Sequence, residues 1–150
     1  MNMRPYTRLS LAITANFLIM WALTYVGVNQ LSHIYLNLNR FYMAVVMAAP
    51  MLIVMLTAMW GMFPDKRVNA VIYAGAALIF LTAFWAIRAQ ALINDEQLSR
   101  SMIPHHSIAI KNCERAKLDD PESIRLCEQI IRSQREEIAQ MQQILERLEQ

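Results

Sequence analysis

Residues 124–148 read IRLCEQIIRSQREEIAQMQQILERL, and the apolar positions in this stretch keep step. Ile124, Cys127, Ile131, Gln134, Ile138, Met141, Leu145 and Leu148 alternate spacings of three and four without a break. That is the a/d seam of a heptad repeat, the pattern of a long helix that lies along another helix. Ile130 and Ile144 widen the apolar face beyond a single seam. One partner helix would cover a narrow face, so the width predicts packing on further copies of the chain.

Working back from this helix, Asp119-Asp120-Pro121-Glu122 reads as a turn that starts it. Asp120 is the expected N-cap and Pro121 the first helical residue, while acids near the start favour the positive end of the helix dipole. Before the turn, helical periodicity runs from Ile103 to about Leu118, with Pro104 placed in the first turn, where its missing N–H has no intrahelical partner. An antiparallel count about residue 120 sets Cys113 opposite Cys127, His106 opposite Gln134, and Met102 near Ile138 and Met141. The cysteine pair then has three readings: a disulfide, two buried free thiols, or a Cu(I) thiolate pair.

The first half of the chain is different in kind. Leu9–Val28, Phe41–Trp60 and Val68–Ile87 carry no charge, and each is close to the ~20 apolar residues a helix needs to cross a bilayer. They predict an all-α membrane protein with spans at about 9–28, 41–60 and 68–93 in a region 1–93, followed by an extracytoplasmic helical hairpin, 94–150. The first run is longer than the apolar core of a signal peptide and no A-x-A site follows, so it reads as an uncleaved anchor. Residues 1–93 hold six basic residues against Asp65 alone, whereas 94–150 hold eight basic and eleven acidic. The positive charge flanks apolar segments and forms no patch on a soluble domain, which argues against nucleic acid as a partner.

Basic residues near span ends mark the cytoplasmic side. Arg4 and Arg8 precede the first span and Lys66 and Arg67 the third; the 29–40 loop offers Arg40 and His33. The N-terminus is therefore expected in the cytoplasm of a bacterial inner membrane, and the hairpin in the periplasm or outside the cell. Arg88 counts against this orientation unless it snorkels to the interface. An oxidising compartment on that side would let a disulfide persist.

Residues 101–110, SMIPHHSIAI, place a thioether and two imidazoles within five positions. Thioether and imidazole ligands suit Cu(I), and imidazole also suits Cu(II) and zinc. Adjacent histidines diverge by about 100° on a helix, so the pair seldom holds one ion. His106, on the seam with Met141, is the better ligand, and His105 is left for a neighbouring subunit. The competing reading is a polar helix start with one ring paired to Glu137. In the second span Met43, Met47, Met51, Met55 and Met59 recur every fourth residue; they form either a thioether track for Cu(I) or an adaptable packing ridge. Pro50 should kink that span, and Asn16 in the first should hydrogen-bond between helices. No Glu-x-x-His pair, nucleophile elbow, phosphate loop or Cys-x-x-Cys is present, so no catalytic residue is assigned and no enzyme is expected.

MIPHHSIAI, DPESIRLCEQII and QREEIAQM, in that order, resemble the signature of the domain of unknown function 305 family: Met-Ile-Pro-His-His, then Asp-Pro, then Gln-x-x-Glu-Ile-x-x-Met. RFYMAVVMAAPM and the span leading into RAQ also resemble its small membrane-anchored members. The resemblance implies a ferritin-like helical bundle, which one hairpin would complete by self-association, and copper binding as seen in some periplasmic relatives. It carries the motif to Met102, His105, His106, Gln134, Glu137 and Met141. Cys113 and Cys127 stand where the family usually has small residues. The expected function is a membrane-anchored envelope protein that sequesters or hands on a metal, with copper as ligand and a homo-oligomeric state. The alternative is a non-enzymatic structural oligomer acting as a scaffold or narrow pore.

Overall fold

In the computed structural model, which describes residues 4–150, the chain is all-helical: five α-helices and no strand among the described residues. They are α1 (Arg4–Leu23), α2 (Leu38–Ala58), α3 (Lys66–Ala89), α4 (Asp95–Arg115) and α5 (Pro121–Leu148). Helices α1, α2 and α3 are each long and apolar enough to cross a membrane. The chain divides into two compact units, one with the residues up to Thr24 and Asn39–Ala91, the other with Tyr25–Leu38 and Leu92–Gln150.

In the first unit, Tyr6, Leu9, Leu56 and Phe63 form the buried core, with Ile13, Leu52 and Ile72 packed on it. Polar groups in so apolar a setting need partners. Asp65 caps α3 by accepting the N–H groups of Arg67 and Val68 at 2.9 and 3.1 Å. The Tyr6 hydroxyl accepts the Asp65 N–H at 3.2 Å and donates to Asn69 Oδ1 at 3.0 Å, and Asn69 Nδ2 donates to the Phe63 carbonyl at 2.9 Å. Asn69 is thus fully buried but satisfied. Phe17, Trp21 and Phe41 form an aromatic cluster, with Phe41 edge-on to both others. Pro50 lies inside α2.

Helix boundaries differ from the expected spans in ways composition does not encode. Helix α1 begins at Arg4 and stops at Leu23, not Val28; Thr24 turns back to donate to the Trp21 carbonyl at 2.6 Å. The apolar residues that follow, Tyr25–Val28, belong to the second unit. Helix α2 runs from Leu38 to Ala58, not from Phe41 to Trp60. Helix α3 ends at Ala89, short of Ile93, because Gln90 caps it in the left-handed conformation at φ 50°.

In the second unit α4 and α5 form the antiparallel hairpin. Ile103, Ile110, Ile138 and Leu145 are its buried core, and Ile131, Met141 and Tyr35 pack on it. Asp120 caps α5 by accepting the Ser123 N–H at 2.7 Å, with Pro121 at the helix start; that bond holds the Asp120 carboxyl below its ordinary range. One ion pair ties the open end: Arg100, paired with Glu96 of its own helix at 2.7 Å, reaches across to Glu149 at 3.0 Å.

The start of α4 corrects the sequence reading. It opens two turns before Ile103, at Asp95, where the Asn94 side chain accepts the Gln97 N–H at 2.8 Å. Pro104 therefore sits in the helix interior. Proline has no N–H to give the carbonyl four residues back, which here belongs to Arg100. Asn37 Nδ2 donates to that carbonyl instead, at 3.2 Å, from the 25–38 segment. Asn37 is itself buried, and it also donates to the Tyr35 carbonyl at 2.8 Å.

Candidate functional site

The two edges of α4 carry different chemistry. At about 100° per residue, Met102, His106 and Cys113 share one edge, and Ser107 lies on the other. Glu137 and Met141, one turn apart, share the matching edge of α5. The antiparallel hairpin sets the four-residue step Met102–His106 against the step Met141–Glu137, and all four side chains are half-buried.

His106 and Glu137 are in direct contact, Nδ1 to Oε2 at 2.9 Å. This is a close approach and not an aligned hydrogen bond, because buried Nδ1 has no hydrogen-bond partner. The carboxylate is held by its own helix: Ser133 donates to Oε1 at 2.7 Å and Gln134 Nε2 to Oε2 at 3.2 Å. Gln134, on the seam, thus positions Glu137. Burial pushes the His106 imidazole below the ordinary histidine value; the Glu137 charge opposes that and His105 adds to it. A neutral imidazole with an unsatisfied ring nitrogen beside a fixed carboxylate oxygen is a donor pair able to take a cation. Among the described residues no three of His, Cys, Asp and Glu converge; Met102 and Met141 stand one turn away on the same two edges.

His105 stands apart from this group. Its side chain is exposed, with its ring 5.9 Å from that of His106. Cys113 and Cys127 are joined in a disulfide with Cα atoms 5.2 Å apart, inside the usual range for such a bond. As a disulfide they are not available as thiolates. In the methionine series, Met43, Met47 and Met51 of α2 and Met59 just past its end are exposed, and Met55 turns inward onto the Tyr6–Leu56 core. The steps of about 40° past a full turn sweep the series around the helix, so it does not line one path.

On the other edge of α4 is a cluster the sequence reading did not single out. Ser107, fully buried, accepts the Asn29 N–H at 2.8 Å and lies 2.9 Å from His33 Nδ1. With the hydroxyl proton given to Nδ1, the ring proton is assigned to Nε2. Burial holds His33 below its ordinary value as well. Asn29 Nδ2 reaches Glu114 at 3.1 Å, and the Tyr25 hydroxyl reaches the Tyr35 carbonyl at 2.9 Å. Gly27 is pressed on Ile108, where a Cβ would stand 3.1 Å from Cγ1. The 25–38 segment is therefore a wall of the hairpin unit. The available signal was a loop with Asn29, His33 and Asn37 spaced four apart between apolar residues.

Both histidines titrate in one direction, which predicts a pH effect. Each is held below about 6.5 when folded and sits near 6.5 when unfolded, so between those values the unfolded chain binds more protons. The stability contribution is complete above pH 6.5 and is lost as pH falls through the folded values. Thermal unfolding between pH 7.5 and 5 should show a falling midpoint, and a His33→Gln/His106→Gln variant a flatter profile.

The family model described as Domain of unknown function (DUF305) matches residues 86–150. An uncharacterized protein, L153, of Acanthamoeba polyphaga mimivirus is 34% identical over 120 residues, covering 79% of this chain and 77% of that protein. No solved structure matches the chain. The motif-bearing helices α4 and α5 lie within the matched segment, and the similarity to the viral protein reaches beyond it. The chain belongs to the domain of unknown function 305 family.

Proposed function

We propose that the protein is a membrane-anchored metal-binding protein of the cell envelope, taking copper as cargo on the edge formed by Met102, His106, Glu137 and Met141. The observation that carries this reading is the His106 Nδ1 to Glu137 Oε2 approach of 2.9 Å, with Nδ1 otherwise unpartnered. A cation shared by the two atoms would satisfy both, and thioethers one turn away suit Cu(I). Helices α1–α3 serve as the anchor. Arg4, Arg8, Lys66 and Arg67 support a cytoplasmic N-terminus and 59–65 connection. The hairpin unit then stands outside, where the Cys113–Cys127 disulfide persists. Copies associate through the outer face of α5, where Leu148 is exposed beside half-buried Ile144.

Competitive titration of the full chain in detergent with Cu(I), and separately with Cu(II), tests this. His106→Ala should weaken binding by at least about tenfold, the lower end of what losing even an indirect contact to a metal costs. His105→Ala, at an exposed position, should leave affinity within about twofold of the parent. A stable detergent oligomer with no copper affinity would overturn the reading in favour of a structural scaffold or pore.

A further inference from the structure

A cleft of about 190 Å³ opens between the 29–33 segment and α5, on the edge of α5 away from Glu137 and Met141. At the ~30 Å³ that one water occupies in the liquid, this is space for on the order of six non-hydrogen atoms. The space exists because α5 presents Ala139 between Arg135 and Gln142, a small side chain where a large one would close the gap. Ile110 and Ile138 form an apolar floor. Around it stand Arg135, Asn29, Gln30, Gln142 and His33. The far wall is fixed, since Ser107 holds both Asn29 and His33.

We propose that this cleft binds a small organic monocarboxylate. The lining includes one arginine and no carboxylate; with Arg135 already paired to Glu114 at the rim, the cleft suits at most one negative charge and disfavours a dianion. The neighbouring Glu114 shows that these donors accept a carboxylate: Arg135 Nη2 meets its Oε1 at 2.7 Å and Asn29 Nδ2 its Oε2 at 3.1 Å. Arg135 uses one of its five N–H groups in that pair, leaving most of a fork whose geometry fits two carboxylate oxygens. The His33 Nδ1 is engaged by Ser107, so Nε2–H is the ring's remaining donor. A short alkyl chain would lie on Ile110, Ile138 and Ala139. The reading is independent of copper, because the two sites occupy different edges of α5 and share no residue.

The test is saturation-transfer NMR on the full chain in detergent, with propionate as probe and propionamide as its uncharged counterpart. Propionate should receive saturation, and propionamide none. Arg135→Gln should reduce propionate binding at least tenfold by removing the charge, and Ala139→Leu should abolish it by filling the cleft. Arg135 and Ala139 are not themselves part of the buried core of Ile103, Ile110, Ile138 and Leu145, and unchanged helical circular dichroism verifies the fold. No transfer to propionate, equal transfer to propionamide, or full binding by either variant overturns the proposal.

Discussion

Replacing Cys113 and Cys127 with serine should lower the stability of the hairpin unit by about 3 kcal/mol, the chain-entropy value for a closed loop of some 15 residues. The bond spans the Asp119–Asp120 turn, so it restrains the segment whose freedom opposes pairing of α4 with α5. The four core residues Ile103, Ile110, Ile138 and Leu145 all lie on the other side of the disulfide from the turn. Without the bond, the loop end has little buried apolar surface to hold it: Ile124 and Leu126 are exposed. Hydrogen exchange should therefore show faster opening for amides of residues 111–127 than for those around Ile138. Copper affinity should stay unchanged, because Cys113 is two turns, about 10 Å, from His106 along α4. An unaltered exchange pattern would show that the bond contributes nothing to pairing.

The second large effect is expected at Asn37. Asn37→Ala removes the donor to the Arg100 carbonyl that Pro104 cannot supply, and an unsatisfied buried carbonyl costs about 1–3 kcal/mol. Pro104→Ala in that background restores an N–H at position 104, able to close the ordinary bond to Arg100. Part of the loss should return, with a coupling of at least ~1 kcal/mol in the double-mutant cycle. The rest should not, since Asn37 also holds the Tyr35 carbonyl. Equal cost of Asn37→Ala with proline or alanine at 104 would refute this role.

Pro104 also shows where sequence reasoning runs out. A proline followed by an apolar run is the ordinary sign of a helix start, and it draws the reading away from Asn94-Asp95-Glu96, the actual cap with acids in the first turn. The interior placement depends on a side chain 67 positions earlier in the chain, which no local pattern reveals. The seam of α5 was legible because heptad spacing is a local property, and the Asp120 cap for the same reason. Three apolar helices were legible from length and charge alone. The role of residues 25–38 was not: Tyr25–Val28 have the composition of a span, and their place is decided by Tyr25, Gly27 and Asn29 meeting partners elsewhere. For the candidate metal edge, the antiparallel count came within one turn of pairing His106 with Glu137. The outward direction of His105 follows from the turn of about 100° between neighbouring residues on a helix.

X-ray absorption at the copper edge of the loaded full chain reads the ligands of the bound ion directly. The spectrum should show an imidazole nitrogen together with two sulfur scatterers, and should lose the sulfur signal in a Met102→Leu/Met141→Leu variant. Copper surrounded by nitrogen and oxygen alone, or sulfur that persists in that variant, would contradict the proposed copper site.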